Sequence, residues 1–446
     1  MSSDRFNIRR RVKASSGSLA GDALDHIRKV KPGKGPLVPN VRELELLLDD
    51  FKAEASLPRL VIGGALLKSM EVVYRDNEFS RSTSISQLVT LAEILAAASS
   101  LPTSLKLIME SECFERHILD SPPAIVELLP RLTNVTFLNI NSLKLSDVGV
   151  SFLSTLPALE NLLINITGID FFQLPTNPPD VESVFPSLKL LAIVTEFLTS
   201  VSKFVTRWKP SRLETFAIER TYCHTNSHVW DLEGFFKVLS KNLKNGHLLK
   251  ELTLYNGSSA QWYEHLGEHT SIISADIFRC LSAEFYNLTD LSISLDASYD
   301  IDNASLMEIA NGWPALRNLC LEECTFGIET AKVTPAGVLA FVAACPQLEE
   351  LTLRFKATTD FPTPGQTVFS PTLRRLNACT SPIDDADVVV AFLEQSFPSL
   401  QSLKCGWFYP HPHDGEPMQL YDDDSEEGPL EGFYNKTWEN VWQRLF

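Results

Sequence analysis

Several marks of a secreted, membrane-spanning, nucleic-acid-binding or catalytic protein are missing from this 446-residue chain. The first residues hold no apolar core of about 7–15 residues, so no secretory signal peptide is read. The most apolar helical run, Ile85 to Leu101, is broken by Gln87, Glu93 and several serines. It reads as a buried helix, not a membrane span. Eight cysteines show no Cys-x-x-Cys spacing and are read as reduced thiols, several of them inside core phrases. Positive charge is scarce: the formal net charge is −17 and the pI about 5.0, which argues against a nucleic-acid backbone as partner. No Gly-rich phosphate loop, Gly-x-Ser-x-Gly elbow or Cys/His nucleophile pairing is present. The chain is therefore expected to be a non-enzyme without cofactor, and intracellular, either cytoplasmic or nuclear.

What is present is one phrase repeated: apolar, two variable residues, apolar, one variable, apolar. It reads VTFLNI from Val135, LENLLI from Leu159, LKLLAI from Leu188, LETFAI from Leu213 and LKELTL from Leu249. It returns as LTDLSI from Leu288, LRNLCL from Leu316, LEELTL from Leu348, LRRLNA from Leu373 and LQSLKC from Leu400. Successive starts lie 24 to 39 residues apart. The end of each phrase alternates, as in Leu351-Thr352-Leu353-Arg354, which is the mark of a strand with one buried face.

A helical pattern precedes several phrases: Leu232, Phe235, Phe236 and Leu239, then Val338, Leu339, Val342 and Ala343, then Val388, Val389, Phe392 and Leu393. Capping residues open these segments at Ser146-Asp147, Asp231, Thr334-Pro335 and Asp384. Turns of the form Trp313-Pro314-Ala315, Cys345-Pro346-Gln347 and Phe397-Pro398-Ser399 then lead into the strand, where proline stops a helix without removing a ladder hydrogen bond. One strand and one helix per repeat predict an α/β solenoid with parallel strands on a concave face and helices outside.

The stretches TPAGVLAFVAACPQLEELTL from Thr334 and SDVGVSFLSTLPALENLLI from Ser146 resemble the cysteine-containing class of leucine-rich repeat. LRNLCLEEC adds Cys324 where that class carries Asn or Cys. With its irregular spacing, the array is similar to the repeat region of fungal F-box proteins, over roughly Asn40 to Trp407. The resemblance implies a leucine-rich-repeat horseshoe and a substrate receptor of a cullin-type ubiquitin ligase, bound to a ligase adaptor. No copy of the F-box itself is recognisable. Residues 1–39 are too short and too polar, and Leu57-Pro58-Arg59 and Leu101-Pro102-Thr103 are followed by the wrong pattern. The alternative is a free-standing binding or inhibitor module.

Four parts are expected along the chain. Residues 1–39 form a basic disordered arm, with nine Lys or Arg against three acids. Residues 40–130 hold irregular N-terminal repeats or a cap, and residues 131–406 the regular array. Residues 407–446 comprise an acidic linker and a C-terminal capping helix, with Trp438, Val441, Trp442 and Leu445 on one face.

Two histidine-bearing loops flank the Leu249 strand: Cys223-His224, His228 and Asp231, and Glu264-His265 with Glu268-His269. Loop histidines without a role are far commoner than ligands, and no metal is expected. Binding chemistry is better supported. Applying the strand alternation puts Glu219, Glu251, Tyr255, Asp290, Glu322, Arg354 and Arg375 on the concave face as the candidate ligand-binding residues. Its middle is acidic, and its C-terminal end gains Arg354, Arg375 and Lys404. A protein ligand is the expected partner, with no nucleic acid and no membrane.

Overall fold

The structure is a computed structural model. It describes residues 13–14, 43–49, 68–76, 89, 91–93, 95–96, 101–111, 119–169, 184–221, 232–243, 245–256, 271–295, 297–323, 331–362, 369–405 and 429–446. The chain divides into two compact units, Met1–Leu213 and Glu214–Phe446.

The first unit contains strands β1 (Lys13–Ala14), β2 (Glu43–Asp49), β3 (Ser69–Asp76), β4 (Ser104–Ser111), β5 (Leu119–Asp120), β6 (Phe137–Lys144), β7 (Asn161–Asn165) and β8 (Leu190–Thr195). They pair in parallel in chain order, with the short β5 set beside β6. Helices α1 (Pro123–Leu128), α2 (Asp147–Ser154) and α3 (Leu198–Trp208) belong to this unit. Residues 89, 91–93 and 95–96 are helical, within the run expected to be a buried helix.

The second unit contains β9 (Thr215–Arg220), β10 (Glu251–Asn256), β11 (Ser271–Ser274), β12 (Asp290–Leu295), β13 (Ala297–Asp300), β14 (Asn318–Glu323), β15 (Glu350–Leu353), β16 (Arg375–Asn377) and β17 (Ser402–Lys404). Strands β9, β10, β12, β14, β15, β16 and β17 pair in parallel in that order, while β11 and β13 form a separate parallel pair. The helices are α4 (Leu232–Asn242), α5 (Ala275–Glu284), α6 (Asn303–Gly312), α7 (Pro335–Ala344), α8 (Ala386–Ser396) and α9 (Pro429–Leu445). Parallel neighbours need a crossover between them, and a helix supplies it in most of these repeats. Each unit is thus an α/β leucine-rich-repeat array, as the spacing predicts.

Burial follows the phrase. Leu252 and Leu254, Leu291 and Ile293, and Leu319 and Leu321 are at most 1% exposed, while the residues between them lie on the opposite, open face. The residue before each turn proline is a plug. Phe185, Trp313, Cys345 and Phe397 are buried, and their carbonyls accept the N–H of Leu188, Leu316, Leu348 and Leu400, closing a four-residue turn with proline second. Buried Phe285 closes the same turn onto Leu288 without a proline, and successive plugs touch: Trp313 Nε1 donates to the Phe285 carbonyl at 3.0 Å, and Cys345 Sγ lies 3.9 Å from the Trp313 carbonyl. Burial pushes the Cys345 thiol up to about 12, so it behaves as a small hydrophobe.

Among the described residues, four helix starts are capped by side chains, whereas α1, α3 and α5 have no side-chain cap. Ser146 accepts from the Gly149 N–H, Asp302 from Ser305, and Thr334, followed by Pro335, from Gly337. The expected cap at Asp384 shifts by one residue. Asp385 accepts from Asp387 and Val388, because its extended backbone aims its carboxylate at the first helical N–H groups. The expected cap Asp231 lies outside the described residues, as does Cys324. Three strand ends are turned by short polar side chains that accept the N–H two residues on: Asn165 from Thr167, Thr195 from Phe197 and Asn377 from Cys379, and Asn139 accepts from Asn141 in the same way inside β6.

Helix α9 packs against α8. Trp438 and Val441 are buried, and Trp438 Nε1 donates to the Ser381 carbonyl at 2.8 Å. Trp442, expected on the same face, is 36% exposed, and its ring lies 6.2 Å from that of Phe446 at a tilt of 43°.

Candidate binding face

The in-register strands of the second unit turn the outward residues into rows. One row runs Thr215, Glu251, Asp290, Asn318, Glu350, Arg375 and Ser402. A second runs Ala217, Thr253, Ser292, Cys320, Thr352, Asn377 and Lys404. A third brings together Glu219, Tyr255, Ser294 and Glu322. Arg354 follows directly after β15.

Neighbours within a row bond to each other. Tyr255 Oη donates to Glu219 Oε2 at 2.9 Å, Thr215 Oγ1 to Glu251 Oε2 at 3.1 Å, and Ser294 Oγ to Glu322 Oε2 at 2.7 Å. Asn318 Nδ2 donates to Asp290 Oδ1, and Thr289 Oγ1 to Asp290 Oδ2 at 2.6 Å. Arg375 pairs with Glu350 across the β15–β16 step. Neutral donors orient the Glu251, Asp290 and Glu322 carboxylates without cancelling their charge. Glu350 is different, because Arg375 offsets it.

Exposure separates the seven candidates. Glu219 and Arg354 are each 5% exposed, Glu219 beneath its bond from Tyr255 and Arg354 just beyond the end of β15. Glu251 and Arg375 are exposed, and Tyr255, Asp290 and Glu322 are half-buried. Burial also raises the Cys320 thiol in the middle row, where Ser292 and Thr352 bond to it from both sides.

The sequence reading passed over Ala217, Cys320, Thr352 and Ser402, which the same alternation would have placed on the face. It also passed over the outward residues of β7 and β8. In the first unit Phe137, Asn161 and Leu190 form one row, and Lys106, Asn139, Leu163 and Ala192 another. The phrases LENLLI and LKLLAI carried that signal. Lys106 Nζ reaches Glu71 Oε1 at 2.9 Å on the neighbouring strand.

Both histidine loops lie outside the described residues. Among the described residues, no group of three or more His, Cys, Asp or Glu is placed to hold a metal ion, and no helix is long and apolar enough to cross a membrane. Cys280, Cys320 and Cys345 are free thiols.

No protein-family model matches the chain, and no curated protein matches it. Among solved structures it is similar to an internalin of Listeria monocytogenes, with 12% identity over 80% of this chain and 86% of that one, at a TM-score of 0.37. A leucine-rich-repeat-containing protein of Legionella pneumophila matches with 11% identity over 90% and 98%, at 0.34. A structure of the yeast Rad7 and Elc1 complex matches with 12% identity over 81% and 75%, at 0.32. Likeness at this level carries no argument; the fold stands on the repeat geometry itself.

Proposed function

We propose that this chain is a non-catalytic, intracellular protein-binding solenoid whose ligand lies on the open face of β9 to β17. The observation that carries the reading is the set of in-register rows. Glu251, Tyr255, Asp290, Glu322 and Arg375 face outward on β10, β12, β14 and β16 of one sheet, and cross-strand hydrogen bonds hold several of them. Side chains oriented before binding lose less conformational freedom on docking. The change from acidic β9–β14 to Arg375 and Lys404 on β16 and β17 favours one orientation of a polar protein ligand. Tyr and Arg are frequent hot spots, so Tyr255, Glu251 and Arg354 are the anchors to test.

The test begins with affinity purification of the tagged chain from its native cells and identification of the co-purifying proteins. The partner's affinity is then measured against the combined variant Glu251→Ala, Tyr255→Ala, Arg354→Ala. Loss of about tenfold or more in affinity, with the fold retained by circular dichroism, is the expected result. Unchanged affinity removes the face from the reading.

The resemblance to fungal F-box repeats supports a narrower role, receptor for substrates of a cullin-type ubiquitin ligase. The same purification separates it from a free-standing binding or inhibitor module. A cullin and its adaptor are recovered in the first case, and another protein in stoichiometric amount without them in the second.

A further inference from the structure

We draw no further inference here: the strongest candidate, the exposed aromatic surface patch of Trp442 and Phe446 at the end of α9, is an apolar face for which nothing in the structure shows what covers it.

Discussion

The open face carried by β6, β7 and β8 and the one carried by β9 to β17 rest on the same inward residues and present different chemistry. Inward, Leu162 and Ile164 in the first unit match Leu291 and Ile293 in the second, all at most 1% exposed. Outward, β6 to β8 show Phe137, Leu163, Leu190 and Ala192 among asparagines, while β9 to β17 show carboxylates, Tyr255 and arginine. The core tolerates little change at an inward position, since a lost methylene leaves a cavity. The outward position pays no such penalty, so composition there is free to follow a ligand. The repeat therefore separates folding from recognition residue by residue along one strand.

The largest expected effect tests the shared half of this comparison. Phe185→Ala and Trp313→Ala each remove a buried plug and should lower unfolding free energy by about 3–5 kcal/mol. Trp313 should cost more, because the Phe285 carbonyl also loses its donor. Urea unfolding midpoints measure both. A plug whose loss costs under about 1 kcal/mol would show that the two units do not share one packing logic.

Helix caps sharpen the contrast at about 1 kcal/mol. Ser146 caps α2 with a hydroxyl, whereas Asp302 caps α6 with a carboxylate whose pKa the Ser305 N–H holds below the usual range. A lowered folded-state pKa contributes stability above the unfolded value and loses it as pH falls through the folded one. The cost of Asp302→Ala should therefore be full at neutral pH and shrink in strong acid. The cost of Ser146→Ala should not change over the same range. Chemical denaturation from pH 7 down to about pH 3 distinguishes them, and parallel curves would contradict the assigned cap chemistry.

The smallest effects concern the faces. Glu251→Gln and Leu163→Gln should each change stability by no more than about 0.5 kcal/mol, since both residues point away from the core. Their effects on binding should differ. Partner affinity, measured by calorimetry, should fall for Glu251→Gln and hold for Leu163→Gln. The reverse outcome would move the ligand to the first unit.

Much of this fold was legible in the sequence because its cues are local. Alternation identified the inward leucines, proline marked the turns, and Thr334-Pro335 marked a helix start. Misplacements arose where a neighbour decides. Asp384 and Asp385 are equivalent by composition, and only the backbone direction entering α8 selects the cap. Arg354 reads as outward by alternation, yet β15 ends at Leu353, and the side chain that follows is covered. Trp442 shares a helical stripe with Trp438, but the contact with α8 is narrow and buries Trp438 and Val441. Gly337 looks like an ordinary helical glycine. A Cβ there would overlap the Asn303 side chain, which bonds Thr334 from the preceding repeat.

The candidate face divides the same way. That Glu251, Tyr255, Asp290 and Glu322 point away from the core was decided by the sequence alone, since a period of two is a property of a few consecutive residues. That Tyr255 meets Glu219, 36 residues away, and Asn318 meets Asp290, 28 residues away, was decided by the tertiary structure. Such pairs exist only once parallel strands lie in register, and register is set by how each intervening helix and turn packs its plug beneath the sheet.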